Sequence, residues 1–152
     1  LGGAHALWWR NGSWEVERVA ADPARLEECL MLADPDPDPR ATPSVLAPPA
    51  AGSATAVGIV EALHAGAHHD VAGILVEVHR GCFDGSPPAV RNLARAVVEA
   101  GGAAWPCGRL VAIWAAPGAR GAGAKEAVLA SLKAAGVRSF AARVDLRGLE
   151  VE

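Results

Sequence analysis

Between residues 53 and 135 the apolar positions are spaced mainly as in helices. The clearest pattern lies between Ser86 and Gly101, where apolar residues recur at intervals of three and four: Val90, Leu93, Ala94, Val97 and Val98. Ser86 followed by Pro87 predicts the start of this helix, because serine caps helix N-termini and proline is tolerated in the first turn. Gly101 predicts its end.

The same spacing predicts three further helices. One covers residues 53–65, with Ser53 as its cap, and the next is expected to begin at Asp70. Another covers residues 122–135 and is expected to end at Gly136, where glycine can adopt the left-handed closing conformation.

Strands are predicted near both ends of the chain. Segments 4–10 and 13–19 flank Asn11-Gly12, which favours a type I′ hairpin because both central positions need a positive φ. The apolar side of this hairpin is expected to consist of Trp8, Trp14 and Val16.

Two later segments and one ambiguous segment complete the predicted elements. Residues 110–114 contain no polar side chain and are expected to form a central strand covered on both faces. Residues 139–145 alternate, with Phe140 on the row expected to be buried. Residues 26–33 are compatible with either a strand or a short helix.

This order of elements predicts an α+β fold, in which the helices pack on one face of a mainly antiparallel sheet. The final strand, helix and strand resemble half of a ferredoxin-like fold. Residues 1–152 are expected to form a single domain with an exposed Pro/Asp-rich loop at 34–52, because its prolines exclude a helix. The DPDPDP run in this loop is interpreted as a solvated linker rather than a cation site.

Composition excludes several classes of function. The net charge of −3 and the scattered basic residues give no surface for nucleic acid or for an anionic membrane. No apolar run approaches the ~20 residues that span a bilayer. The odd number of cysteines without CxxC spacing indicates buried, reduced thiols in a cytoplasmic protein. Richness in Ala, Gly, Pro and Arg is typical of a GC-rich bacterial genome.

Two groups of side chains could in principle form a metal site or a catalytic pair, but neither site is predicted. His64 and His68 stand four residues apart, but Gly66 interrupts the helix that would place both on one face for a metal. His79 with Cys82 or Cys107 could form a nucleophile and base, yet core thiols are commoner than catalytic ones. No catalytic residue and no metal ligand is predicted.

The order of short motifs along the chain resembles the C-terminal half of the GHMP small-molecule kinases, most closely the sugar- and heptose-phosphate kinase branch. The matching segments are GG at 2–3, WEVE at 14–17, LML at 30–32, ALHAG at 62–66, HR at 79–80, SP at 86–87, EAVL at 126–129 and FAARV at 140–144. Each motif alone is mainly an amphipathic pattern, and their joint order carries the resemblance.

The resemblance implies an ATP- and Mg²⁺-dependent kinase of a sugar or sugar phosphate. It places His79, Arg80 and Arg40 at the substrate. The remnant of the family's glycine-rich nucleotide loop would be Cys107, Gly108 and Arg109, where this chain is several residues shorter. Another glycine-rich run, GARGAG at 118–123, fits no Walker pattern and is interpreted as a strand-to-helix turn.

The family's principal nucleotide loop and its catalytic Asp belong to an N-terminal half with no counterpart here. We therefore expect the chain to be incompetent alone and to need that half as a partner. The alternative is a stand-alone α+β binding or dimerisation module, a soluble monomer or homodimer, that retained the scaffold of a kinase.

Overall fold

The computed structural model describes residues 5–35, 53–118 and 123–143. In chain order their elements are β1 (His5–Arg10), β2 (Ser13–Arg18), α1 (Pro23–Cys29), β3 (Leu30–Asp34), α2 (Ser53–His64), α3 (His68–Val78), α4 (Pro88–Glu99), β4 (Ala103–Cys107), β5 (Leu110–Trp114), α5 (Ala124–Ala134) and β6 (Arg138–Ala141). Among these residues, no helix is both long and apolar enough to cross a membrane.

The main sheet has four strands in the order β4-β5-β3-β6, and every neighbouring pair is antiparallel. Because β3 and β4 both run antiparallel to β5, they share one direction, and α2, α3 and α4 connect them. In the same way β5 and β6 flank β3 and are connected by α5. The sheet therefore consists of two interleaved split β-α-β units, and the predicted α+β class with an antiparallel sheet is confirmed.

The two faces of this sheet bury different residues, as the alternation of a pleated strand requires. Ile113 and Ala104 lie in a cluster with apolar residues of α4 and α5. Their chain neighbours Trp114 and Ala103 lie in a second cluster with residues of α1, α2 and α3. Helices thus cover both faces, as predicted for the central strand β5. The predicted single helical layer is wrong, because both rows of β5 are apolar and both require cover.

The β1–β2 hairpin forms a separate two-stranded sheet. Its predicted type of turn is confirmed, with φ of 50° at Asn11 and 80° at Gly12. The prediction that Trp8 shares one side of the hairpin with Trp14 is wrong. In the register of the two strands Trp8 is paired with Glu15, whereas Trp14 is paired with Trp9. Trp14 is 66% exposed and the other residues of β2 are exposed as well, so the core does not cover β2.

The predicted helices are all present, with small differences at their ends. Gly66, Gly101 and Gly136 have positive φ values of 68°, 85° and 68° and close α2, α4 and α5 as expected. The helix α3 begins at His68 rather than after Asp70. The predicted cap of α4 is wrong by one residue, because Pro87 rather than Ser86 is the N-cap and α4 begins at Pro88.

The ambiguous segment 26–33 contains both kinds of element. The helix α1 ends at Cys29, and Leu30 is already extended, with φ of −96° and ψ of 134°. The strand β4 was not predicted, because Pro106 interrupts its pattern. Proline is tolerated there because β4 lies at an edge of the sheet, where a missing N–H need not break the ladder.

Two predictions at the sheet edges need correction. Phe140 is 46% exposed, because β6 is the other edge strand and its outer part has little cover. Asp34, placed at the start of the predicted loop, is the last residue of β3 and is buried. Residues 36–52 and 144–145 lie outside the described residues, and so does Arg40.

Candidate functional site

A cleft of about 470 Å³ lies where α1, the α2–α3 turn and the segment after β5 meet. Its volume falls within the range of about 300–1,000 Å³ that is typical of small-molecule sites. The residues that line it are Ala20, Asp22, Arg25, Cys29, Leu63, His64, Gly66, His68, His69, Ala116 and Pro117. This concentration of histidine around one cavity makes the cleft the candidate site.

The turn between α2 and α3 brings the histidines to the cleft. Gly66 takes a φ of 68°, and its N–H donates to the carbonyl of Leu63 at 3.1 Å. The N–H of Ala67 then donates to the carbonyl of Ala62 at 2.8 Å, which completes a helix-closing motif. The chain therefore leaves α2 at His64 and enters α3 at His68, so the two side chains come from different helices.

His68 is held against the end of β5. Its ring centroid lies 6.1 Å from that of Trp114, and the Trp114 Nε1–H donates to the His68 carbonyl at 2.9 Å. Its Nδ1 atom is buried and has no hydrogen-bond partner among the described residues. A buried polar atom without a partner costs free energy in a native structure.

The two charged residues of the cleft, Asp22 and Arg25, already make hydrogen bonds within the chain. Asp22 caps α1, where its carboxylate accepts the N–H of Ala24 at 3.0 Å. Arg25 Nη1 donates to Glu28 Oε2 at 2.6 Å. A guanidinium has five N–H donors, so Arg25 keeps donors for a ligand.

Cys29 lies in the cleft wall but is not suited to nucleophilic chemistry. Its side chain is fully buried, and burial raises the pKa of its thiol to about 11. The thiolate is the reactive form, so at neutral pH Cys29 acts as a small apolar residue. Cys82 is half-buried and Cys107 is exposed, so the expectation of buried thiols is wrong for Cys107.

The residues that the resemblance places at the substrate lie elsewhere. His79 ends α3 and stacks on Trp105, with ring centroids 5.6 Å apart. Arg80 pairs with Glu77 on the surface, with 74% of its side chain exposed. Neither residue lines the cleft.

Gly108 and Arg109 form a two-residue hairpin turn between β4, which ends at Cys107, and β5. Cys107 is paired with Leu110, and Gly108 has a φ of 60°. The guanidinium of Arg109 lies 3.5 Å from the buried carboxylate of Asp34. This turn connects the edge strand β4 to β5, and through Arg109 it contacts Asp34 of β3. It is not an extended glycine-rich loop.

The second glycine-rich turn precedes α5 and already holds an anionic group. The carboxylate of Glu126 accepts the N–H of Gly123 at 2.9 Å. Hydrogen bonds from the N–H groups of Glu126, Gly123 and Gly118 hold the pKa of this carboxyl below its usual value. A nucleotide phosphate would need these same N–H groups, so the described residues of this turn do not fit one.

No group of three or more metal-ligating side chains placed to hold a metal ion occurs among the described residues, although three histidines line the cleft. Comparisons with protein-family models, curated proteins and solved structures found no match to this chain.

Sequence reasoning missed Arg25, Asp22 and Cys29 as cleft residues. These residues lie on α1 or at its N-cap, and α1 was not predicted because segment 26–33 was compatible with either a strand or a short helix. The available signal was the capping residue Asp22 followed by Pro23, which marks a helix start.

Proposed function

We propose that this chain is the C-terminal portion of a GHMP-type sugar or sugar-phosphate kinase and does not transfer a phosphoryl group by itself. The observation that carries the proposal is the pair of interleaved split β-α-β units with an extra helical pair in the first crossover. This arrangement is ferredoxin-like and supports the fold that the order of motifs implies.

A fold alone does not assign an activity, so the proposal is limited to a non-catalytic role. Phosphoryl transfer requires Mg²⁺, a phosphate cradle and a positioned hydroxyl together. The turn at Gly108 and Arg109 has only two residues, and the described N–H groups of Gly118 and Gly123 already bond to the Glu126 carboxylate. ATP and Mg²⁺ would be held by the N-terminal half, with His79 and Arg80 on the substrate side.

The proposal includes the cytoplasm of a bacterium as the location of the protein. Cys29, Cys82 and Cys107 are free in the structure, which supports a reducing compartment. The composition supports the bacterial origin.

The decisive experiment isolates the protein from its native source through a tag on the endogenous gene. Native mass spectra are recorded with and without Mg-ATP. A kinase assembly gives a species well above the 15.5 kDa of the chain that carries a nucleotide-sized adduct. A bare chain or its simple multiple, unchanged by Mg-ATP, contradicts the kinase assignment.

A matched pair of variants then tests the substrate side. In an active assembly, Arg80→Gln should raise the KM for the sugar substrate, while Arg95→Gln should not. Arg95 is an exposed arginine of α4. Equal KM values in the two variants would show that Arg80 does not contact the substrate.

The second candidate function is a stand-alone α+β binding or dimerisation module. The observation that favours it is the tight turn at Gly108 and Arg109, which replaces an extended nucleotide loop. This candidate predicts a homodimer or monomer that binds a small ligand and has no ATP-dependent activity.

A further inference from the structure

We propose that the cleft between α1, the α2–α3 turn and the segment after β5 binds a small organic anion. Its carboxylate or phosphate group would lie between Arg25 and the histidines that begin α3. This inference does not rest on the proposed kinase relationship, because it uses only the geometry of the cleft.

The first argument is the composition of the cleft walls. Leu63, Ala116 and Pro117 form an apolar part, and Arg25, His64 and His69 supply donors. A site with an apolar wall and a few convergent polar groups is the usual form of a small-molecule pocket. An imidazole has an N–H donor in its neutral form and two in its charged form, so these histidines can donate in either state.

The second argument is the start of α3. No side chain caps this helix of 11 residues, and its N-cap residue is Ala67. The first residues, His68 and His69, line the cleft. A helix N-terminus has unsatisfied N–H groups and a partial positive charge, which favour an anion, and Asp70 in the first turn offsets only part of that charge.

The third argument is the balance of charge in the cleft. Among the described residues that line the cleft, Asp22 is the one with a carboxylate, and it already accepts the Ala24 N–H at the start of α1. The guanidinium of Arg25 pairs with Glu28 through one nitrogen and retains other donors.

The test titrates the ¹⁵N-labelled full chain with two matched pairs of probes, followed by amide chemical shifts. The pairs are succinate with succinamide, and glycerol 3-phosphate with glycerol. We expect at least one anion to shift the amides of Gly66, His68 and His69, while its neutral partner of similar size does not. The anion that binds distinguishes a carboxylate ligand from a phosphate ligand.

The variant Arg25→Gln should weaken binding of that anion about tenfold or more, because a charge-assisted hydrogen bond is lost. Arg95→Gln on α4 is the control and should bind as the wild type does. If Arg25→Gln loses its folded spectrum, His69→Gln on the exposed surface of the cleft replaces it, with a smaller expected loss.

Three results would overturn the inference. One is the absence of shifts with either anion up to about 10 mM, a range that detects millimolar Kd values. Another is equal binding of an anion and its neutral partner, which would make the cleft a site without charge preference. The third is unchanged binding in a folded Arg25→Gln or His69→Gln variant.

Discussion

The imidazole of His79 stacks on the indole of Trp105, with ring centroids 5.6 Å apart and an interplanar angle of 15°. This contact joins the end of α3 to the edge strand β4. The His79 Nδ1 is buried and has no hydrogen-bond partner among the described residues. Burial therefore lowers the pKa of His79 below its usual value, since the charged form would lose hydration without gaining a partner.

We predict that this stack makes stability depend on pH. Because the folded-state pKa of His79 is depressed, the unfolded chain binds the proton more readily. The contribution of His79 to stability is then complete above the unfolded pKa of about 6.5 and falls as pH drops through that value toward the lower folded pKa.

Denaturant unfolding of the wild type and His79→Phe between about pH 8 and 5 measures this effect across the titration range of histidine. Phe keeps an aromatic ring against Trp105 and cannot titrate, so the loss of stability at acidic pH should be smaller in the variant. His69→Gln, at an exposed position, serves as a control and should follow the wild type. Parallel curves for wild type and His79→Phe would contradict the prediction.

The three thiols should react at very different rates with a disulfide reagent such as Ellman's reagent. Cys107 is exposed and should react first, whereas Cys29 is buried and has a pKa of about 11. Relative to an ordinary thiol pKa of 9.0, that pKa lowers the thiolate fraction about 100-fold, apart from the effect of access.

The expected result is one fast thiol in the folded protein and three in denaturant. Cys107→Ser should remove the fast phase, and Cys29→Ser should leave it unchanged. A fast reaction of Cys29 in the folded protein would mean that its cleft wall opens readily.

Local patterns predicted most elements of this fold because each was specified by neighbouring residues. The hairpin at Asn11-Gly12 and the helix ends at Gly66 and Gly136 depend on positive φ values that glycine and asparagine adopt readily. The edge strand β4 was missed because its place depends on pairing with β5, which no pattern within β4 specifies.

The candidate site was only partly predictable for the same reason. The prediction that Gly66 breaks the helix between His64 and His68 is confirmed, but the residues that face them across the cleft were not predicted. Their actual proximity to Arg25 and Cys29 arises because β3 pairs with β5 and so brings the end of α1 beside the α2–α3 turn. Contacts between segments so distant along the chain leave no local signal.

We predict that the buried carboxylate of Asp34 contributes more to stability than any exposed ion pair of the described residues. It accepts a hydrogen bond from Arg138 at 3.0 Å and lies 3.5 Å from Arg109, so it ties β6 and the β4–β5 turn to β3. Removing Arg138 leaves a carboxylate that is only 3% exposed with a single, more distant cation.

Arg138→Ala should therefore lower the free energy of unfolding by about 1.5–3 kcal/mol, the range for hydrogen bonds to charged groups. The matched control is Glu77→Ala, which breaks the exposed pair with Arg80 and should cost about 0–1 kcal/mol. Chemical denaturation of both variants measures the difference. Equal losses would show that burial gives Asp34 no special role.

The last prediction concerns Glu126, whose carboxylate occupies the glycine-rich turn before α5. Hydrogen bonds from the N–H groups of Glu126, Gly123 and Gly118 lower its pKa, so the folded state favours the ionised form. The stabilisation is present above the unfolded pKa of about 4.5 and is lost as pH falls through the lower folded pKa.

Glu126→Gln keeps an oxygen that can accept the Gly123 N–H but removes the charge at the helix N-terminus. Its unfolding free energy should therefore fall less steeply than that of the wild type between about pH 6 and 3, where carboxyls titrate. Glu61→Gln, an exposed change on α2, should retain the wild-type slope. Glu126→Ala frees the N–H groups altogether, and inorganic phosphate should then shift the Gly118 and Gly123 amides, which it should not do in the wild type. If phosphate shifts these amides equally in both proteins, the Glu126 carboxylate does not exclude anions from the turn.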